Sequence, residues 1–188
     1  MKALLIVLGV LLLVALFVGA QAKNTYNDLY AQREAINGQW SQVDVALQRR
    51  ADLIPNLVET VKGFAKQEKE IMEAVANARA GLLNARGPQE KIEANGRLDS
   101  AIGRLLLVVE NYPNLKSNEN FLRLQDELAG TENRIAVERR KYNEGVQKYN
   151  TNIGLFPSNI FASMFGFHRN DAYFKTEPAA RNAPKVAF

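Results

Sequence analysis

Residues 40–62 read WSQVDVALQRRADLIPNLVETVK, and the way the chain passes Pro55 in this stretch decides the fold. Trp40, Leu47, Ile54 and Val61 fall at seven-residue steps, with Val43, Ala51, Leu57 or Val58, and Phe64 in a second register. That spacing marks one buried face of an amphipathic helix. Pro55 removes a backbone donor and crowds the carbonyl four residues earlier, so the helix either kinks or reverses at residues 52–55.

Upstream, residues 3–20 read ALLIVLGVLLLVALFVGA, about eighteen residues without a charge between Lys2 and Lys23. As a helix this run is about 27 Å long, enough to cross a bilayer. Ala20, Gln21 and Ala22 also form a small-x-small pattern of the kind cleaved after signal peptides, and the run is at the upper limit of length for one, so a cleaved signal peptide is the rival to a retained anchor. Ala15 and Gly19 form a small-xxx-small pair through which anchors can pack into a homo-oligomer. Lys2 on one side nearly balances Lys23 and Arg33 on the other, and the minimal N-terminal tail favours a domain on the extracytoplasmic side.

Downstream, further helical stripes follow. Residues 24–51 carry Tyr26, Leu29, Ile36 and Trp40; residues 54–86 carry Leu57, Val61, Phe64, Ile71, Val75 and Leu82. Gly87 and Pro88 separate these from a helix over residues 88–111 that buries Leu98, Leu105 and Tyr112 or their neighbours Ile102, Leu106 and Val109. Tyr112 and Pro113 end that helix, and Ser117 or Asn118 is placed to cap the next, with Glu119 at its positive end. The last long helix has the most regular stripe: Phe121, Leu128, Ile135, Tyr142 and Tyr149 recur every seven residues.

Length bears on the choice at Pro55. A single straight helix over residues 24–86 would leave its lower stripe facing water, because the two helices after it are too short to cover it. Reversal at residues 52–55 gives four helices of about 42, 50, 36 and 52 Å with every stripe covered. The expected fold is therefore all-α: an N-terminal single transmembrane helix (residues 1–22) followed by an antiparallel up-down-up-down four-helix bundle (residues 23–153). Residues 154–174 read as a short aromatic-rich amphipathic segment, and residues 175–188 as a flexible tail.

Three stretches resemble the LemA family of bacterial membrane-anchored helical proteins: QRRADLIPNLVETVKG at 48–63, ENYPNLKSNENFLRLQDELAGTENRIAVERRKYNEGVQKYN at 110–150, and FPSNIFASMFGF at 156–167. The resemblance implies a helical fold, a retained anchor and a place in the bacterial envelope, and it implies no agreed biochemical activity.

The residues themselves argue against an enzyme. The 188-residue chain has no cysteine and one histidine, His168. Thiolate metal sites, cysteine nucleophiles and disulfide scaffolds are excluded, and a di-iron bundle site lacks its Glu-x-x-His pairs. No glycine-rich phosphate loop opens a helix, and no cofactor is expected. Carboxylates such as Glu68, Glu70, Glu73, Glu127 and Glu132 alternate with lysine and arginine, as on a solvated helical face. A net charge of +4 and a pI near 9.3 suit attraction to anionic lipid more than nucleic acid, for which there is no recognition motif.

Two places stand out as interaction sites. Arg49, Arg50, Asp52 and Asn56 gather around the expected turn, where they either dock a protein partner or serve the turn itself, Arg50 on the carbonyls ending one helix and Asp52 on the donors opening the next. Phe156, Phe161, Met164, Phe165 and Phe167 either lie in the membrane interface, on a short helix capped by Ser158, or close the end of the bundle. The Tyr-Asn dipeptides at 26, 142 and 149 read as aromatic core layers with an amide neighbour, or as contact residues. The expected function is non-enzymatic: a single-pass protein of the bacterial inner membrane acting as an interaction or scaffold module for an unidentified protein partner. The alternative is a lipid- or curvature-binding organiser that uses the aromatic segment and the basic surface.

Overall fold

The computed structural model describes residues 2–175. Among them are six helices and no strand: α1 (Lys2–Phe64), α2 (Lys69–Asn84), α3 (Gly87–Val109), α4 (Pro113–Lys116), α5 (Glu119–Gly154) and α6 (Ser158–Met164). They belong to two compact units. Of the described residues, 2–39 and 144–171 form the first, 40–143 and 172–175 the second.

The reversal expected at residues 52–55 does not occur. Helix α1 runs through Pro55 to Phe64, and the chain turns instead over residues 65–68, where Glu68 N–H donates to Ala65 O at 3.1 Å. Two physical reasons account for the continuity. The carbonyl that Pro55 deprives of its partner belongs to Ala51, and Arg79 of α2 donates to it from Nε at 2.7 Å. In addition, Ala51, Ile54, Leu57 and Val61 are all buried, so the stripe stays in register across the proline. Each large apolar side chain buried there contributes about 1.5–3 kcal/mol, and Ile54, Leu57 and Val61 together outweigh the ~3 kcal/mol cost of an internal proline.

In the second unit, four helical segments share a core: the end of α1, then α2, α3 and the first part of α5. The Arg79–Ala51 bond, with Val58 and Lys62 lining one pocket together with Lys69 and Met72, sets α2 antiparallel to α1. Arg50 meets Asn95 and Lys91 meets Asp44, which makes α3 parallel to α1. Arg50 also meets Glu132, and Trp40 meets Tyr142, so α5 runs back along α1. The up-down-up-down order is thus kept, with its first turn moved to residues 65–68.

Local signals place the remaining turns. Gly87 takes φ +75°, a conformation that favours glycine, and Pro88 follows it in the first turn of α3. Arg86 N–H donates to the Glu90 carboxylate at 2.8 Å. At the start of α5, Asn118 Oδ1 accepts from the N–H groups of Asn120 and Phe121, both at 3.1 Å, as expected of its capping residue. Every member of the expected α5 stripe is buried: Phe121, Leu128, Ile135, Tyr142 and Tyr149. Phe64, by contrast, is 42% exposed and lies outside the core.

The first unit holds the apolar start of α1, from Leu4 to Val18 exposed throughout, and the stripe beyond it. Leu29 and Ile36 are buried there, as are Val146 and Tyr149 of α5 and Phe167. The lower stripe therefore does not face water: the end of α5 runs beside it, and Asn152 Nδ2 donates to Asp28 Oδ2 at 2.8 Å. Residues 176–188, which include nearly all of the expected tail, lie outside the described residues.

Candidate functional site

The first unit gathers aromatic side chains around Tyr26. Phe165 and Phe167 meet the Tyr26 ring edge-on at 5.2 and 5.6 Å, and Tyr30 stacks on it at 6.2 Å. The Arg33 guanidinium lies 5.5 Å from the Phe167 ring centre, close enough for a cation–π contact. Gly166, at φ +73°, makes this possible. With Phe167 N–H bonded to Ala162 O at 2.9 Å, it ends α6 in a tight left-handed turn that swings Phe167 back under the helix.

Ser158 is the first residue of α6 and makes no capping bond, unlike the expectation for it. The segment divides by exposure. Phe167 and Ala162 are buried and Phe161 is half-buried, whereas Leu155, Phe156, Ile160 and Met164 point outward and Phe165 is partly exposed. Leu155 and Ile160 are not among the residues singled out from sequence.

In the second unit, Arg49, Asp52 and Asn56 are exposed along α1 rather than at a turn, since the turn lies at residues 65–68. Asp52 accepts from Gln48 at 2.9 Å, and the Asn56 carbonyl accepts from the Thr60 hydroxyl at 2.8 Å. Neither Asp52 nor Arg50 serves a helix end here. Arg50 is buried, only 7% exposed, and its Nη1 pairs with Asp99 and with Glu132, the latter at 2.9 Å, and donates to Asn95 at 3.3 Å. Asn95 in turn donates to Asp99 at 3.0 Å. A buried guanidinium needs such partners, and here α3 and α5 supply one carboxylate each.

Both Tyr-Asn dipeptides of α5 pair a core tyrosine with an asparagine that binds main chain. In the second unit, Asn143 donates to Phe174 O at 2.8 Å and accepts from Phe174 N–H at 3.0 Å. The Phe174 ring stacks on Trp40 at 6.1 Å, meets Tyr142 edge-on at 6.0 Å and lies under the Arg139 guanidinium at 4.5 Å. In the first unit, Asn150 makes the same two-way pairing with Asn170, at 2.7 and 2.9 Å. The sequence signal was the repeated dipeptide; what it could not give was the extended segment that the amides hold.

Two tyrosines have perturbed hydroxyls. Tyr112 donates to Glu68 Oε1 at 3.1 Å, and this bond, then burial, then the charge of Glu68 raise its pKa above the ordinary value. Burial raises that of Tyr149, against an opposing effect of Arg33. Among the described residues no three His, Cys, Asp or Glu side chains are grouped to hold a metal ion, and His168 is exposed.

The sequence pattern that defines the LemA family matches residues 39–188. The chain belongs to the LemA family. Among known proteins it is similar to magnetosome protein MamQ 2 of Paramagnetospirillum magneticum, at 29% identity over 201 residues covering 93% of this chain and 73% of that protein. MamQ of Magnetospirillum gryphiswaldense is 27% identical over 202 residues, 94% of this chain and 73% of its own length. Protein LemA of Metamycoplasma hominis is 25% identical over 156 residues, 82% of this chain and 71% of its own. The LemA match takes in Pro55 with Arg79, the Arg50 network, and Asn143 with Phe174. It begins beyond the apolar run of α1.

Proposed function

We propose that this LemA-family chain is a non-enzymatic, membrane-anchored interaction protein, which holds a protein partner at the bacterial inner membrane through a single span. One observation carries the reading: the helix whose first residues are apolar and exposed from Leu4 to Val18 continues unbroken into the stripe Val43, Leu47, Ile54 and Val61. An exposed apolar helix of that length has a bilayer as its natural solvent. The likeness to LemA and MamQ proteins supports membrane association. The partner-facing surface includes Arg49, Asp52 and Asn56, exposed on α1, while Arg50 holds the interior behind them.

The test is photo-crosslinking in cells from positions 49, 52 and 56, with the adducts identified. A defined membrane-protein adduct that Arg49→Glu abolishes, at unchanged membrane yield, supports the reading. Adducts to lipid and to the chain itself alone would replace it with the second reading, a lipid- or curvature-binding organiser. The exposed apolar side chains of residues 155–164 favour that alternative.

A further inference from the structure

Leu155, Phe156, Ile160 and Met164 are 57, 80, 55 and 63% exposed, a concentration of apolar surface on one short turn and helix. Ala162, almost wholly buried, holds the inner side of α6, so the helix presents its apolar outer side by construction.

Position in the first unit says what covers this surface. The same segment carries Phe165 and Phe167, both packed on Tyr26. Tyr26 stands six residues after Ala20, where the apolar run of α1 ends, a rise of about 9 Å. Residues 155–164 are thus tied, within two helical turns, to the place where α1 leaves the hydrocarbon. The surroundings have the chemistry of a headgroup layer. Tyr26 and Tyr30 are 41 and 46% exposed, and tyrosine favours the membrane interface. Lys23, three residues before Tyr26, and Arg169, two residues after Phe167 and paired only loosely with the exposed Asp171 at 3.7 Å, are exposed and suit anionic phosphates.

We propose that residues 155–164 form a second, interfacial membrane contact, in which Phe156, Ile160 and Met164 enter the headgroup boundary on the side where α1 emerges. The occupant of the patch is the bilayer, because the patch continues the lipid-facing surface of α1 through Tyr26. This inference rests on the membrane-anchored part of the function proposed above. Two attachments, one spanning and one lying in the surface at a depth of about 5–10 Å, fix how far α1 sinks and place residues 21–23 at the interface.

The absence of cysteine allows single labelling sites in the full chain. Leu11→Cys, Ile160→Cys and Leu107→Cys, the last at a side chain 72% exposed in the second unit, would each carry an environment-sensitive fluorophore. Each variant would be reconstituted into phosphatidylcholine and phosphatidylglycerol vesicles, with lipids brominated at different depths. The expected result is strong quenching of the Leu11 label by deep bromines, of the Ile160 label by bromines near the headgroups, and none at Leu107. In a Phe156→Cys chain, adding Ile160→Glu with Met164→Glu should abolish headgroup-level quenching, while the same pair in a Leu11→Cys chain leaves deep quenching intact. An Ile160 label that behaves like the Leu107 label, with Leu11 quenched, overturns the second contact and leaves the anchor standing. A blue-shifted Ile160 label that bromine does not quench also overturns it, since protein, a second copy included, would then cover the patch. If Leu11 too is unquenched, the anchoring itself falls and this inference with it.

Discussion

Arg79 donates from Nε to the main-chain carbonyl of Ala51 at 2.7 Å, and Ala51 stands four residues before Pro55. A proline inside a helix orphans that carbonyl, and a neighbouring helix supplies what the proline withholds. Arg79→Met should therefore lower stability by about 1–3 kcal/mol, the cost of an unsatisfied buried acceptor. In a Pro55→Ala background, residue 55 can donate to Ala51 itself, and the cost of Arg79→Met should shrink by about 1 kcal/mol or more. Thermal unfolding of the four proteins of this cycle measures the coupling. An Arg79→Met cost indifferent to residue 55 would show that Arg79 serves something other than the orphaned carbonyl.

Adjacent arginines should behave in opposite ways. Arg50→Ala leaves Asp99 and Glu132 facing each other without their cation and should cost about 3 kcal/mol, the lower end of the range for a broken buried pair because both carboxylates are partly exposed. Arg49→Glu lies on solvent and should fall within about 0.5 kcal/mol of the parent. Chemical denaturation midpoints distinguish them, and equal losses would contradict the burial of Arg50 alone.

Alkaline pH should weaken the fold through Tyr112. The Glu68 bond holds the phenol proton, so the folded chain binds it more tightly than the unfolded chain does. The folded pKa is raised, hence this contribution is fully present below the ordinary tyrosine value of about 10 and is lost as pH climbs through the folded pKa. Tyr149, raised by burial, adds to the same slope. Melting temperature followed from about pH 8 to about pH 12 should fall less steeply in Tyr112→Phe than in the parent. Identical slopes would mean that the Glu68 bond does not hold the proton.

Helix α5 offers two changes of opposite sign. Asn118→Ala removes the acceptor for the N–H groups of Asn120 and Phe121 and should cost about 1 kcal/mol. A Cβ added at Gly130 meets nothing within 4 Å, so Gly130→Ala should gain up to about 1 kcal/mol from helix propensity. Melting temperatures moving in the same direction for both would refute one of the two assignments.

Much of this was written in the sequence. The seven-residue stripe of α5 is buried at every member, although Thr131, Val146 and Asn150 outside it are buried too; Gly87 and Pro88 marked a turn, and Ser117 or Asn118 a cap. The first reversal was misplaced because propensity assigns the break to Pro55, while the donor that cancels it, Arg79, lies 28 positions away. A local signal for the true turn did exist: residues 66–70, KQEKE, offer no apolar side chain to continue the stripe. Helical spacing sets Arg50, seven residues after Val43 and four before Ile54, on the buried stripe and Arg49 off it, but the carboxylates that let a guanidinium stay inside, Asp99 and Glu132, are far off in sequence. The role of Asn143 was equally hidden, since an amide that binds main chain leaves no mark on the residues it holds.

The chain closes each unit with its far end. Phe167, which packs on Tyr26, is made about 140 residues after it, a delay of about 10–30 s at ordinary rates of synthesis. The apolar start of α1 is thus complete long before the aromatic cover of Tyr26 exists, and Trp40 waits nearly as long for Phe174. On the anchoring proposed above, order of synthesis makes insertion the earlier event and closure of the fold the later one, and a ribosome halted before residue 165 would leave Tyr26 without Phe165 and Phe167.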